Sequence, residues 1–198
     1  MYPPMLTDEE LAAKIQQGDR AAFEVLFKRY EAKILRYGQR FLYRYEDVED
    51  AVQEVFVKAY VNIQSFTVSR KFSTWLYRVA HNTFINVIKK KGREPLSFFD
   101  FDTLMQMPVT DGKHLDEEFL KMGDQATLLE GLKKLSPKYR EPLVLYYLEE
   151  LDYKEIADVL QIPVSTVGVR LQRAKVRLKK ELDTAVGPPP RPLLRKEG

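Results

Sequence analysis

The chain has 198 residues, 44% apolar and 31% charged, with a net charge of +3 and no cysteine. Such a length buries a core in one or two domains, and the balance is that of a soluble globular protein. It excludes disulfides and thiolate metal sites, and no apolar run approaches the roughly 18 residues of a membrane span. Residues 1–10 lack the basic-then-apolar order of a secretory signal, so a reducing cytoplasm is the expected setting.

The charge is unevenly spread. Residues 1–92 hold 15 Lys and Arg against 11 Asp and Glu, residues 93–126 hold 3 against 8, and residues 127–198 hold 14 against 10. Two basic blocks flanking an acidic connector suggest two nucleic-acid-binding modules on a tether.

Helical periodicity dominates, with no alternating strand pattern or hairpin signal. Thr7, with Glu10 three residues on, reads as a capping box opening a helix that Gly18 ends. Asp19 caps a second helix reaching about Phe41, with Ala22, Phe23, Leu26, Phe27 and Tyr30 on one face. A third, about Tyr45 to Ile63, turns Val48, Val52, Val55, Phe56 and Ala59 inward. A fourth runs from about Ser73 to Lys91, with cations in its last turn where the helix dipole favours them. Periodicity then fails from Arg93 to Lys121, which carries Pro95, Pro108 and Gly112 and reads as a linker. It returns at Ala126, and Ser136-Pro137 starts a helix to Glu150. Asp152 to Leu160, a break at Gln161-Ile162-Pro163 and Ser165 to Leu182 then spell a helix-turn-helix. The Pro-rich end, from Gly187, reads as an extended tail.

Three segments carry chemistry. The second helix of the helix-turn-helix sets Arg170, Arg173, Lys175, Arg177, Lys179 and Lys180 on a Val167/Leu171/Ala174/Leu178 stripe. Ser165 or Thr166 is expected to cap it and contact phosphate, with Arg170 and Arg173 sharing the outer face. The bland alternative is a helical hairpin with a solvated basic face. The third helix places Asp47, Asp50 and Glu54 along one edge. That edge suits a basic protein partner; the other readings are a solvated face or a divalent-metal nuclease site. The fourth helix and its leading loop combine Phe66, Phe72, Trp75, Tyr77, Arg78, His81, Asn82, Asn86 and Lys89 to Lys91. Rings beside amides and cations suit single-stranded DNA, although Trp75, Leu76 and Val79 are also spaced as a core. Neither His81 nor His114 has partners at metal-ligand spacing, and no metal, cofactor or catalytic group is expected. From these residues alone, a dimeric helix-turn-helix operator-binding regulator remains an alternative.

Several segments, in order, resemble the extracytoplasmic-function (ECF, group IV) sigma factors of bacterial RNA polymerase. They are Gly18 to Phe23 with Leu26 and Arg29-Tyr30; Asp47 to Tyr60; Phe72 to Asn82; Leu135-Ser136-Pro137; and Tyr153 to Leu178. The resemblance implies an all-α fold of two small helical domains, residues 1–92 and 127–183, the second containing the helix-turn-helix. A flexible acidic linker, residues 93–126, would join them, and residues 184–198 would form a disordered tail. It implies a non-enzymatic subunit that binds core polymerase, reads two promoter elements and melts the downstream one, commonly under an anti-sigma factor. By similarity Asp47, Asp50, Gln53 and Glu54 would dock on the polymerase. Asn62, Phe66, Trp75, Val79, Asn82, Asn86, Lys89 and Lys90 would hold the downstream element. Ser165, Thr166, Arg170, Gln172, Arg173 and Arg177 would hold the upstream one. The chain departs from the family pattern at Gln161 and Ser165, where glycine is usual, and at Gly168 and Val169, where a cation or serine is usual.

Overall fold

The computed structural model describes residues 6–42, 44–90 and 125–186, which form eight α-helices and no strand. Residues 93–124 of the expected linker and 187–198 of the expected tail, with His114, lie outside them.

The first half is a four-helix cluster. Helix α1 (Asp8–Gln16) opens on the anticipated capping box: Thr7 Oγ1 accepts from the Glu10 amide at 3.1 Å and Glu10 returns the bond to the Thr7 amide at 2.8 Å. Gly18, at φ +95°, turns the chain as only glycine does without strain. Asp19 then caps α2 (Arg20–Gly38) through the amides of Ala21 and Ala22. Helix α2 stops three residues before the expected Phe41. Gly38 sits there so close to later helices that a Cβ would fall 2.9 Å from Phe84 Cζ and 3.0 Å from Val48 Cγ1. Helix α3 (Tyr45–Val61) gives way to a 3-10 turn (Ile63–Ser65), and α4 spans Phe72–Lys90. Leu26, Ile34, Val55, Leu76 and Phe84 are 0–1% exposed at the centre. Each contributes about 1.5–3 kcal/mol by leaving water.

The second half comprises α5 (Gln125–Lys134), α6 (Pro137–Tyr147), α7 (Tyr153–Leu160) and α8 (Val164–Val186). Helix α6 ends short of the expected Glu150, because Glu150 takes φ +56° and the Leu151 amide folds back to the Leu145 carbonyl. Asp152 caps α7 in a second capping box with Glu155. Gln161 adopts the left-handed conformation, φ +53° and ψ +45°, which glycine takes without strain. Its side-chain amide donates to the Asp158 carbonyl at 2.5 Å, a local bond set against the roughly 1–2 kcal/mol cost of that conformation for an L-residue. Helix α8 starts at Val164, so Ser165 and Thr166 stand inside its first turn and not at its cap. Val167, Leu171, Ala174 and Leu178, the expected apolar stripe, are all 0–1% exposed.

The two halves are not held apart. Helix α4 lies along α7, and the buried residues of both halves form one contiguous cluster.

Candidate functional site

The loop between α3 and α4 is pinned by α1. Gln16 Nε2 donates to the carbonyls of Ile63 and Phe66 at 2.8 and 2.7 Å, and Gln64 Nε2 donates to the Gln16 carbonyl at 2.8 Å. Glu9 Oε1 accepts from the Phe72 amide at 2.9 Å, capping α4 from a neighbouring helix. Phe66, Phe72 and Trp75 stack on one another with ring centroids 5.5–5.7 Å apart. Phe66 and Trp75 are buried, and both line a cleft of about 330 Å³ rimmed by Arg70, Lys71, Thr74 and Arg78. Asn62, Asn82, Asn86, Lys89 and Lys90 are exposed and Val79 is half-buried. Trp75, Val79, Asn82 and Asn86 recur at i, i+4, i+7 and i+11, one stripe along α4. The structure thus brings Phe66 and Trp75 into the cleft and sets the amides beyond it. Glu9, Gln16, Arg70 and Lys71 were not singled out from the sequence, because their roles depend on which helices meet.

A second surface lies on α3. Asp50 and Gln53 are exposed, Asp47 is half-buried, and Glu54 pairs with Lys58 at 2.7 Å. Among the described residues no three acids or histidines gather at metal-binding distance, so the nuclease alternative lacks its ligand set. Beside this acidic edge runs a mainly apolar groove of about 540 Å³ between α2 and α3, lined by Phe23, Phe27, Phe56, Val57, Tyr60 and Val61 together with Arg20 and Gln53. Val57 and Val61 are 62% and 69% exposed. Periodicity had pointed to Phe56 as inward but gave no sign that its neighbours leave a groove.

On α8, Ser165 and Arg177 are exposed, and Thr166, Gln172 and Arg173 are half-buried. The Arg177 guanidinium lies over the Tyr139 ring at 4.4 Å. Arg170 departs from expectation: it is 6% exposed and does not share the outer face with Arg173. Lys175, 4% exposed, also turns inward, its ammonium 5.8 and 5.4 Å from the rings of Tyr146 and Tyr147. Long aliphatic stems let such cations pack against rings, so the cationic helix presents fewer charges outward than its sequence suggests.

A polar network joins the halves. Tyr37 donates to Glu141 Oε1 at 2.5 Å, and His81 Nδ1 lies 2.6 Å from the same oxygen. A carboxylate only accepts, so the Nδ1 proton points at it. Tyr77 donates to Glu149, and Arg140 Nη1 donates to the Arg40 carbonyl at 2.8 Å. Burial, then the Glu141 charge, pushes the Tyr37 phenol well above its ordinary pKa, and burial with Glu149 does the same for Tyr77. Burial pulls His81 down, but the Glu141 carboxylate outweighs it and holds the imidazole above its usual value. Burial raises the Glu149 carboxyl. Nearer the cleft mouth, Lys71 Nζ pairs with Glu155 at 2.7 Å and Arg78 with Asp158 at 3.1 Å.

A helix-turn-helix, an aromatic cleft rimmed by cations and a separate acid-edged groove are the parts of a DNA-binding transcription protein that also docks on a protein partner. Residues 26–94 match the family model for sigma-70 region 2, and residues 125–178 match that for sigma-70 region 4. The ECF RNA polymerase sigma factor SigW of Bacillus subtilis is 38% identical over 176 residues, 85% of this chain and 93% of that protein. The ECF RNA polymerase sigma-E factor of Escherichia coli is 34% identical over 187 residues, 91% and 97% of the two chains. The solved structure of CnrH in complex with the cytosolic domain of CnrY shares the fold at a TM-score of 0.65 and 26% identity, covering 89% of this chain and 97% of that one. The chain belongs to the ECF sigma factors of RNA polymerase. It is accordingly a regulator of transcription that directs promoter-specific initiation.

Proposed function

We propose that the two halves divide the promoter between them. Residues 1–92 engage core polymerase and the downstream element, residues 127–183 engage the upstream element, and residues 93–126 tether them. The face of α3 carries the reading: Asp50 and Gln53 stand exposed with half-buried Asp47 and Glu54 beside them, and Gln53 lines an open apolar groove, a pairing of acids and apolar surface that suits a cationic amphipathic partner. The groove residues Phe56, Val57 and Tyr60 supply the apolar half of that contact.

Downstream, Phe66 and Trp75 form a stacking floor, Asn62, Val79, Asn82 and Asn86 meet the bases, and Lys89 and Lys90 take backbone phosphate. Upstream, Ser165, Thr166, Gln172, Arg173 and Arg177 face the groove of duplex DNA, and Arg170 joins them only by swinging outward. The protein does no catalysis of its own and works in the cytoplasm beside its polymerase. An anti-sigma factor is a further partner; the related CnrH is itself solved in complex with another protein, the cytosolic domain of CnrY.

The test is capture of core polymerase by tagged protein carrying Asp50→Arg. One reversed charge at a desolvated contact should weaken binding by about 2 kcal/mol or more, at least roughly thirtyfold. Wild-type capture with a properly folded variant would remove α3 from the docking surface.

A further inference from the structure

Helix α8 folds two of its long cations inward. Arg170 and Lys175 are 6% and 4% exposed, so other residues make up the side that faces duplex DNA. Ser165 is exposed there, and Thr166, Gly168, Val169, Gln172 and Arg173 are half-buried. At roughly 3.6 residues per turn, Val169 lies about 160–200° round the helix from Val167 and Leu171, both 0–1% exposed in the core. It therefore stands at the middle of the outward side. Its neighbours at i−4, i−3, i+3 and i+4 are Ser165, Thr166, Gln172 and Arg173, the residues assigned above to the upstream element. Val169 is an apolar centre in a polar ring.

Its position along the helix matters as much as its direction. A recognition helix turns its N-terminal residues to the base edges. Val169 is in the second turn of α8, which begins at Val164. Val176 shares the same side at i+7 and is 59% exposed, but it stands two turns further on, past the turns that reach the bases.

Valine offers a base edge no hydrogen bond. In the major groove the apolar group that a base pair presents is the C5-methyl of thymine, and the other edges present donors and acceptors. Laid over that methyl, Val169 removes apolar surface of both partners from water, roughly a fourfold preference for each methylene-sized contact. Laid over guanine, adenine or cytosine, it would strip water from polar groups and return no bond. One side chain thus favours thymine and penalises the alternatives.

We propose that Val169 reads the C5-methyl group of a thymine in the upstream element. The inference rests on the reading of α8 as the upstream grip. It gives that element one thymine recognised by its methyl, with the polar ring fixing the register around it.

The experiment uses holoenzyme reconstituted from the full chain and core polymerase. Selection from a random-sequence duplex library returns the upstream element, and each thymine in it is then replaced singly by deoxyuridine. Deoxyuridine keeps every donor and acceptor and lacks only the methyl. Competition binding should show one thymine at which the replacement weakens wild-type binding roughly three- to tenfold. Val169→Ser should bind both duplexes equally, and Val169→Thr, which keeps one methyl, should retain part of the preference. Val176→Ser, the same change two turns on, should retain all of it. An element with no such thymine would overturn the proposal, as would an equal methyl preference in Val169→Ser or its loss in Val176→Ser. Arg173→Ala separates the two readings. Recovery of the same upstream element by that variant would fault the α8 assignment and Val169 with it, whereas an element that needs Arg173 but ignores the methyl would fault Val169 alone.

Discussion

Glu141→Ala should be the most costly single change between the halves. Glu141 is 3% exposed, and one oxygen accepts from Tyr37, whose ring is fully buried, and from His81. Alanine strands both donors where water reaches poorly. A buried donor left without an acceptor costs about 1–3 kcal/mol, and breaking a buried ion pair costs about 3–5 kcal/mol. The two figures describe overlapping losses, so the expected total is about 3–5 kcal/mol. For a chain of this size that lowers Tm by roughly 6–20 °C. Glu141→Gln keeps an acceptor for Tyr37 but loses the charge facing His81, and about half the penalty should remain.

Urea unfolding at several pH values measures this, with Tyr37→Phe completing a double-mutant cycle. His81 has a raised pKa in the folded state, so its contribution is fully present below the unfolded value near 6.5 and is lost as pH rises through the folded value. The deficit of Glu141→Ala should accordingly be largest in mild acid and narrow as the imidazole deprotonates. A loss under about 1 kcal/mol, or strict additivity with Tyr37→Phe, would refute the claim that this carboxylate joins the halves.

Alkaline unfolding gives a second check. Tyr30, Tyr37 and Tyr77 all have raised pKa values, chiefly by burial and then by Asp8, Glu141 and Glu149. Above pH about 10 the unfolded chain releases three phenol protons that the folded chain keeps, so stability should fall by about 1.4 kcal/mol per pH unit for each, about 4 in all. Tyr77→Phe should remove one third of that slope, and an unchanged slope would count against its burial. Two glycines should respond oppositely to alanine. Gly38→Ala forces a methyl onto the immobile Phe84 ring and should lose about 1–3 kcal/mol. Gly168→Ala meets only Tyr153 Cε2 at 3.7 Å and should gain about 0.5–1 kcal/mol of helix stability. Thermal melts shifting in the same direction would contradict that contrast.

Most of this architecture was legible because it is local. The Thr7 capping box, the Asp19 cap, the Gly18 turn and the α8 stripe lie within a few residues of the groups they satisfy, and so does the Asp152 capping box, which the sequence reading passed over. Two helix ends moved: α2 halts where Gly38 meets Phe84 of another helix, and α6 halts at a local turn in which Glu150 takes a positive φ and the Leu151 amide bonds back to the Leu145 carbonyl. Arg170 and Lys175 mark the limit of reading a cationic helix by charge alone. Each sits one residue from the apolar stripe, close enough for its stem to turn inward, and which cations do so depends on where neighbouring rings lie.

The fourth helix shows why the candidate site was only half legible. Its aromatics, amides and cations form one polar-aromatic population in the sequence, and single-stranded DNA suits all of them. In the structure they divide into three faces. Phe72, Leu76, Ala80 and Phe84 go to the core; Thr74, Tyr77, Arg78 and His81 go to the carboxy-terminal half; Trp75, Val79, Asn82 and Asn86 make the stripe that runs from the cleft. Periodicity separates the first face from the rest because water rejects it. It cannot separate the second from the third, because a carboxylate on another helix and a phosphate on a strand recruit the same tyrosines, arginines and histidines. The partners Glu141, Glu149, Glu155 and Asp158 lie 60 to 81 residues away from their α4 partners in the chain, beyond the reach of any local pattern.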